Sequence, residues 1–388
     1  MRNKGAIFIL ALLAIAGGLF AMVSCGGSAD GGTIKIGALL AVTGPASFLG
    51  DPENKTLEML VEEINKNGGI NGHQVELVVK DTQGKAENAV SFARQLIEED
   101  KVLAIIGPTT SGESLQVKDV CNENKTILIS CAAAEDIVVP VTPYVFKTPQ
   151  KDSFAAMKIF EDIKARGLKR IGVVVSNSGF GQGGKAQLEK YAGEYGLEIV
   201  IAEVYDAKAT DLTDVMTKVK GANVDAVVNW SIEPAQSIVI TNIRQLGMKQ
   251  PLYQSHGFGN IKYVETAGAA AEGVIFPAGR MLAVGVLPDS NPQKKVISDY
   301  ITQYQGLYKE DVSTFGGHAY DALMILKKAI EIAGSTETEA VRSAIEKVSN
   351  FPGTGGVFNF SATDHNGLDK DAFEMYVVKD GKFDLYKK

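Results

Sequence analysis

The chain carries four histidines, at positions 73, 256, 318 and 365, and three cysteines, at 25, 121 and 131. None of the histidines has metal-ligand spacing to another histidine or to a cysteine, so no metal centre is expected. No Gly-x-Ser-x-Gly elbow occurs, and nothing assembles an acid, a base and a nucleophile; no catalytic residue is expected, and no cofactor. The most suggestive run is Gly179-Phe180-Gly181-Gln182-Gly183-Gly184, which matches G-x-G-x-x-G with Glu203 about twenty residues on. Three residues, Ser176-Asn177-Ser178, separate it from the preceding apolar run, where a dinucleotide fingerprint begins at once, and it falls mid-chain. A glycine-rich strand-to-helix loop is the expected reading.

A second run, Ile106-Gly107-Pro108-Thr109-Thr110-Ser111-Gly112-Glu113, reads as a strand end, a turn and a helix start. The first N–H groups of a helix and its positive dipole end make an anion site, and Ser111 could donate to a carboxylate held there. Thr110-x-x-Glu113 also fits a capping box, which needs no ligand. The next strand ends at Ser130-Cys131-Ala132-Ala133-Ala134, where small side chains let a ligand reach the backbone. Ligands of open α/β sheets bind beyond the carboxyl ends of strands, so Thr110, Ser111, Ala132 and Ala133 form one candidate binding edge. His318, in Phe315-Gly316-Gly317-His318, opens a helical pattern and is expected to cap or to pack.

These residues sit in a repeated grammar of short apolar runs and helical patterns. Ile34 to Leu40, Val75 to Val79, Val102 to Ile106 and Thr126 to Ser130 read as strands. Between them, Leu57, Leu60, Val61 and Ile64 follow i, i+3, i+4, i+7 on a helix expected to start at Asp51-Pro52, and Ala86 to Ile97 marks a second helix. The grammar restarts near residue 150, with strands at Ile171 to Val175, Leu197 to Glu203, Val224 to Trp230 and Leu252 to Gln254. Helices are expected at about 291–305, 316–333 and 336–347, then strand-like segments Gly356 to Phe360, Phe373 to Val378 and Lys382 to Tyr386, the last two a hairpin about Asp380-Gly381. The expected fold is α/β, with two lobes of doubly wound, largely parallel sheet.

At the N-terminus, Arg2 and Lys4 precede an uncharged stretch from Ala6 to Val23, the pattern of an export signal. Met22-Val23-Ser24-Cys25 resembles a lipobox, which makes residues 1–24 a signal peptide, Cys25 a lipidation site and residues 25–32 a tether. An uncleaved membrane anchor is the alternative; both place the rest outside the cytoplasm. The net charge of −7, without Lys/Arg runs, argues against nucleic acid as a partner. Cys121 and Cys131 read as buried free thiols, too far apart to bridge.

The combination of Ile34 to Leu40 with Thr43-Gly44-Pro45, then Asn67-Gly68-Gly69-Ile70-Asn71-Gly72, then Ile106-Gly107-Pro108 with Thr110-Ser111-Gly112, resembles the leucine/isoleucine/valine-binding family. These are type I periplasmic solute-binding proteins of branched-chain amino acid ABC importers. The resemblance implies lobe 1 at 33–148 and 280–368 and lobe 2 at 149–279 and 369–388. Three crossings, near 147–150, 277–281 and 366–373, form the hinge of a Venus-flytrap. It implies a solute in the interlobe cleft, closure about that hinge, and ABC permease subunits as partners. A monomer is expected, touching the membrane only through its lipid. By resemblance, Ser111 holds a ligand carboxylate, Ala132 offers backbone, and Ala134 replaces a hydroxyl residue that helps hold an amino group. Phe180 matches a tyrosine, and His256 falls where an acidic residue pairs with the ligand ammonium.

Phe48, Phe180 and Trp230 could sandwich a planar or apolar body. The two departures favour a small carboxylate lacking an α-amino group, an aromatic acid among the candidates, held near Ser111 and His256. Glu233 could restore the missing carboxylate, which keeps an amino acid open. A periplasmic sensor partner of a signalling receptor is the further alternative.

Overall fold

A computed structural model describes residues 32–387. The signal segment, Cys25 and the tether up to residue 31 lie outside the described residues. No helix of the described residues is long and apolar enough to cross a membrane.

The first lobe begins with β1 (Ile34–Leu40), α1 (Ser47–Lys66), β2 (Val75–Asp81), α2 (Ala86–Glu98), β3 (Ala104–Ile106), α3 (Ser111–Glu123), β4 (Ile127–Ser130) and β5 (Val145–Lys147). The second continues with α4 (Asp152–Ala165), β6 (Arg170–Ser176), α5 (Gly179–Tyr191), β7 (Glu198–Tyr205), α6 (Thr213–Gly221), β8 (Ala226–Trp230), α7 (Ala235–Gln245), β9 (Leu252–Gln254), α8 (Lys262–Ala267) and β10 (Ile275–Ala278). The chain then returns through α9 (Pro292–Tyr308), α10 (Thr314–Ala333), α11 (Thr338–Ile345) and the two-residue strands β11 (Phe351–Pro352) and β12 (Val357–Phe358). It ends on the hairpin β13 (Glu374–Lys379) and β14 (Lys382–Leu385).

The two sheets repeat one plan. Lobe 1 has the order β2-β1-β3-β4-β5, wholly parallel. Lobe 2 has β7-β6-β8-β9-β10 in the same sense and adds β13 and β14 antiparallel at its far edge. Strands covered by helices on both faces must be apolar throughout, and β3, β4 and β8 are buried at every position. In each sheet the first strand is flanked by the second and third, so the order reverses between β1 and β3 and between β6 and β8. That reversal opens a crevice beyond the carboxyl ends of the strands.

One core of lobe 2 gathers β6, β8, β9 and β10 side chains, and the lobe 1 core packs α10 along α1. The backbone passes between the sheets at 148–151, at 279 and at 369–372. Leu368 and Ala372 pack in the first core and Phe373 in the second. Leu49 and Phe315, from α1 and α10, pack into the lobe 2 core, so the lobes are in contact across the cleft.

Helix α1 differs from the sequence expectation. It starts at Ser47, five residues upstream, and Pro52 lies inside it. The early start follows from packing: Gly50 lies so near the Ala41 backbone that a Cβ there would sit 2.2 Å from its oxygen. Pro52 cannot supply the N–H that the Phe48 carbonyl would accept four residues back. Asn260 of lobe 2 supplies it, donating Nδ2–H to that carbonyl at 2.9 Å. The strand expected at Gly356 to Phe360 shrinks to β12, paired only with β11. Cys121 and Cys131 are buried free thiols.

Candidate ligand-binding cleft

Both crevices open toward the cleft, and an inner cavity lies where they meet. Leu49, Thr109, Ser111, Cys131, Ala132 and Ala133 line it from lobe 1, with Phe315 and His318 from α10 and Pro149 from the hinge. Phe180, Ile232, His256 and Gly257 line it from lobe 2. It leaves about 20 Å³ of room for the centre of a water molecule, enough for about one water. Outside Ser111 and Phe180 the cleft widens to about 1030 Å³, bordered by Lys85, Arg94, Lys208, Glu87 and Glu233. The constriction between the two is the approach of α3 to α5: a Cβ on Gly179 would lie 2.8 Å from the Cα and N of Gly112. Ligand entry therefore requires the lobes to part.

On the lobe 1 side the site is largely backbone. Thr110 caps α3 with a full capping box, its hydroxyl accepting from the Glu113 N–H at 3.3 Å while Glu113 accepts from the Thr110 N–H at 3.1 Å. Ser111 is buried, and its Oγ accepts from the Ala134 N–H at 3.2 Å, which leaves its hydroxyl proton for an acceptor in the cavity. Thr109 is held differently. It donates to Glu53 at 2.5 Å and accepts from the Ala41 N–H at 3.0 Å. Burial pushes the Glu53 carboxyl well above its ordinary range, against the Thr109 hydrogen bond that lowers it.

The opposite wall is built from side chains. His256 stands on the turn His256–Phe258 after β9, edge-on to Phe180, Trp230 and Phe373 at ring separations of 5.4, 5.6 and 5.4 Å. Its Nε2 lies 3.5 Å from Oδ1 of Asp152, the fully buried first residue of α4. Neither ring nitrogen of His256 and neither carboxylate oxygen of Asp152 has a hydrogen-bond partner. Lys147, at the end of β5, is also fully buried and donates to the carbonyls of Ala133 at 2.5 Å and Gln150 at 3.2 Å.

Burial, then the nearby Lys147 charge and His318, hold His256 far below its ordinary pKa. Burial and Lys147 push His318 down to about 3. Both imidazoles are therefore neutral near pH 7. Burial raises Asp152 while Lys147 opposes the rise, and burial lowers Lys147 against the pull of Asp152.

Of the sequence candidates, the structure brings Ser111, Ala132, Ala133, Phe180 and His256 to the inner cavity. Thr110 lines only the outer cleft, because its hydroxyl is spent on the cap. Trp230 stands one layer behind the wall: fully buried, it fills the space over Gly184, whose Cβ would lie 2.2 Å from the indole nitrogen. Phe48 sits on the seam between lobes, 5.8 Å edge-on to Tyr263 with the Lys262 amine 5.6 Å from its ring centre. Neither completes a sandwich about the cavity.

Glu233 accepts from Ser231 Oγ at 2.6 Å and borders the outer cleft, so it offers no carboxylate to the inner cavity. The glycines of the G-x-G-x-x-G run serve close packing: Gly179 against Gly112, Gly181 against the Ser176 carbonyl and Gly184 against Trp230. His318 is no cap, since Ser313 caps α10; it reaches the cavity wall from the second turn. Thr109 and Asp152 join the site without being among the sequence candidates. Thr109 adjoins the capping motif, whereas nothing in the sequence brings Asp152 near His256.

Residues 33–382 match the periplasmic binding protein family. The chain belongs to that family. It is 26% identical over 355 residues to the Leu/Ile/Val-binding protein BraC3 of Rhizobium johnstonii, covering 90% of this chain and 92% of that one. It is 26% identical over 373 residues to the leucine-, isoleucine-, valine-, threonine-, and alanine-binding protein of Pseudomonas aeruginosa, covering 95% of each.

Among solved structures, an extracellular ligand-binding receptor from Rhodopseudomonas palustris superposes with a TM-score of 0.86 at 28% identity, over 91% of this chain and 99% of that one. The branched-chain amino acid transporter substrate binding protein of Streptococcus pneumoniae, in complex with isoleucine, gives a TM-score of 0.79 at 27% identity, over 90% and 97%. This periplasmic binding protein is thus of the Leu/Ile/Val-binding type, and its two parallel-sheet lobes are the type I architecture.

Proposed function

We propose that this periplasmic binding protein captures a small organic monocarboxylate without an ammonium group and passes it to an ABC permease, tethered to the membrane by lipid on Cys25. One observation carries the ligand reading: no Asp or Glu lines the inner cavity, while Ser111 and the start of α3 face two neutral imidazoles there. An ammonium closed into that cavity would have no free carboxylate, since Asp152 already balances the buried Lys147, and an unpaired buried charge costs several kcal/mol, on the order of 3–5. A carboxylate would meet the Ser111 hydroxyl and a helix start, and the Lys147 charge behind Ala133 adds to the favourable field.

The names of the relatives and the isoleucine in the Streptococcus pneumoniae structure favour a second reading, an aliphatic amino acid. A thermal-shift series separates the two: benzoate and 4-methylpentanoate against leucine, valine and alanine, since a ligand of the folded state raises the melting temperature. The acids are expected to shift the melt; a shift with amino acids alone sinks the carboxylate reading. His256→Glu is expected to weaken an acid. Labelling with radioactive palmitate that survives Cys25→Ser would remove the lipid tether.

A further inference from the structure

The buried side of His256 holds a group that the binding reading leaves unused. Asp152 has no ligand to touch: it is absent from the cavity wall, wholly buried, and both its oxygens lack a hydrogen-bond partner. Its place is prepared on three sides. Gly183 of α5 leaves it room, since a Cβ there would stand 3.3 Å from Oδ2, so the glycine run that resembles a nucleotide loop here admits a carboxylate. Lys147 supplies the compensating charge. His256 Nε2 lies 3.5 Å from Oδ1, within reach of a hydrogen bond after a small rotation of the ring.

We propose that Asp152 is a positioning residue that fixes the proton of His256 on Nε2, so that Nδ1 faces the solute as an acceptor and selects acids bearing a hydroxyl. A neutral imidazole carries one N–H and one bare nitrogen, and the partner of one decides the role of the other. Above the value of about 7 to which burial raises it, Asp152 is a carboxylate and can only accept, so the nitrogen beside it is the one that carries hydrogen. The three rings around His256, from α5, β8 and Phe373, pack edge-on against the imidazole, and neither of its nitrogens has another hydrogen-bond partner. The solute then needs an acceptor at the Ser111 end and a donor at the His256 end. A hydroxy acid has both, and its hydroxyl brings no charge into the cavity.

This inference takes its probes from the carboxylate reading, but its first test needs no ligand. In ¹⁵N NMR of histidine-labelled protein, the His256 ring, assigned by loss of its signals in His256→Gln, is expected to be protonated on Nε2. Asp152→Asn is expected to move the proton to Nδ1, because the amide N–H now faces Nε2. The second test is titration of 4-hydroxybenzoate against benzoate, and of 2-hydroxy-4-methylpentanoate against 4-methylpentanoate. The wild type is expected to prefer the hydroxy acid of at least one pair by about tenfold or more, since a site built for a donor rejects the analogue that lacks it. Asp152→Asn is expected to cut that preference to within about twofold while the plain acid binds no more weakly than to the wild type, since the Lys147 charge then stands unopposed; a general loss of structure does not give that split.

A wild-type His256 protonated on Nδ1, no preference in either pair, or an equal loss for both acids in Asp152→Asn overturns the proposal. If no acid binds at all, the carboxylate reading falls. The proton position in the NMR spectrum then still decides the role of Asp152.

Discussion

The two lobes share one strand order, and equivalent loops do different work in each. The loop after β3 enters α3 through a complete capping box, whereas the equivalent loop after β8 enters α7 at Pro234 with no side-chain cap. After β4 come Ala132 and Ala133, which bare the backbone; after β9, at the equivalent place, comes His256. At these equivalent loops lobe 1 therefore presents N–H groups and a hydroxyl, with Phe315 and His318 of α10 beside them, and lobe 2 presents imidazole and aromatic faces. A backbone wall suits the group that every solute of a class shares, here an acid. A side-chain wall can be rewritten residue by residue and so sets which acid is taken.

The largest expected effect is behind the two walls, where β5 of lobe 1 meets α4 of lobe 2. Lys147→Met removes the cation that satisfies two carbonyls and balances Asp152, which leaves a buried charge unpaired; the loss of stability is expected to be about 3–5 kcal/mol. Urea unfolding at pH 7.5 reads it. A loss below about 1 kcal/mol would mean that Asp152 is protonated in the folded chain and needs no partner.

Next is the seam between the walls. Gly179→Val places a side chain against the Gly112 backbone, which cannot withdraw without opening the cleft. Affinity for whichever acid shifts the melt is expected to fall about 100-fold, which is about 2.7 kcal/mol. The melting temperature of the unliganded protein stays within a few degrees, since the clash exists only when the lobes meet. An unchanged affinity would show that ligand is held with α3 and α5 apart.

These two residues mark how far the sequence could be read. The capping box, the strand ends and the small residues after β4 are local signals, each contained in a few consecutive positions, and Ser111, Ala132 and Ala133 follow from them. The doubly wound fold is legible for the same reason, because buried parallel strands and amphipathic helices each declare themselves within about ten residues. Lys147 and Asp152 flank the first hinge crossing, whereas His256 and His318 lie about one hundred and more residues further on, and only the folded chain brings the four together. Pro52 misled for the converse reason: locally it is a helix start, and the donor that lets it sit inside α1 is about two hundred residues away.

A third test uses the neutral imidazoles. The folded pKa of His318 lies at about 3, below its ordinary 6.5, so the unfolded chain takes up the proton first. The stability this histidine retains at neutral pH is lost as pH falls from about 6.5 toward 3, at up to about 1.4 kcal/mol per pH unit. In His318→Gln the slope of unfolding free energy between pH 6.5 and 5 is expected to be shallower by up to that amount, while His256, which shifts the same way, keeps its share. An identical slope in the variant would mean that His318 is protonated in the folded protein at acid pH. Lys147 would then no longer be the only charge beside the cavity to set against a carboxylate.

The smallest effect is expected at the one hydrogen bond that joins the walls through a helix backbone. Pro52 frees the Phe48 carbonyl, and Asn260, nearly buried, donates to it across the seam. In the open form that carbonyl meets water, so the bond favours closure by the net worth of one hydrogen bond, about 1 kcal/mol. Asn260→Ala is therefore expected to speed release of bound acid about fivefold and to leave the association rate nearly unchanged, because the bond forms after encounter. Pro52→Ala gives the carbonyl a helical partner of its own, and the same loss of closure is expected with Asn260 intact. Stopped-flow displacement on the two variants and their double mutant checks the coupling: if the bond is the cause, the double mutant releases no faster than either single one. Additive effects would place the contribution of Pro52 in the stiffness of α1 instead, and lobe 1 would then act on closure without the help of lobe 2.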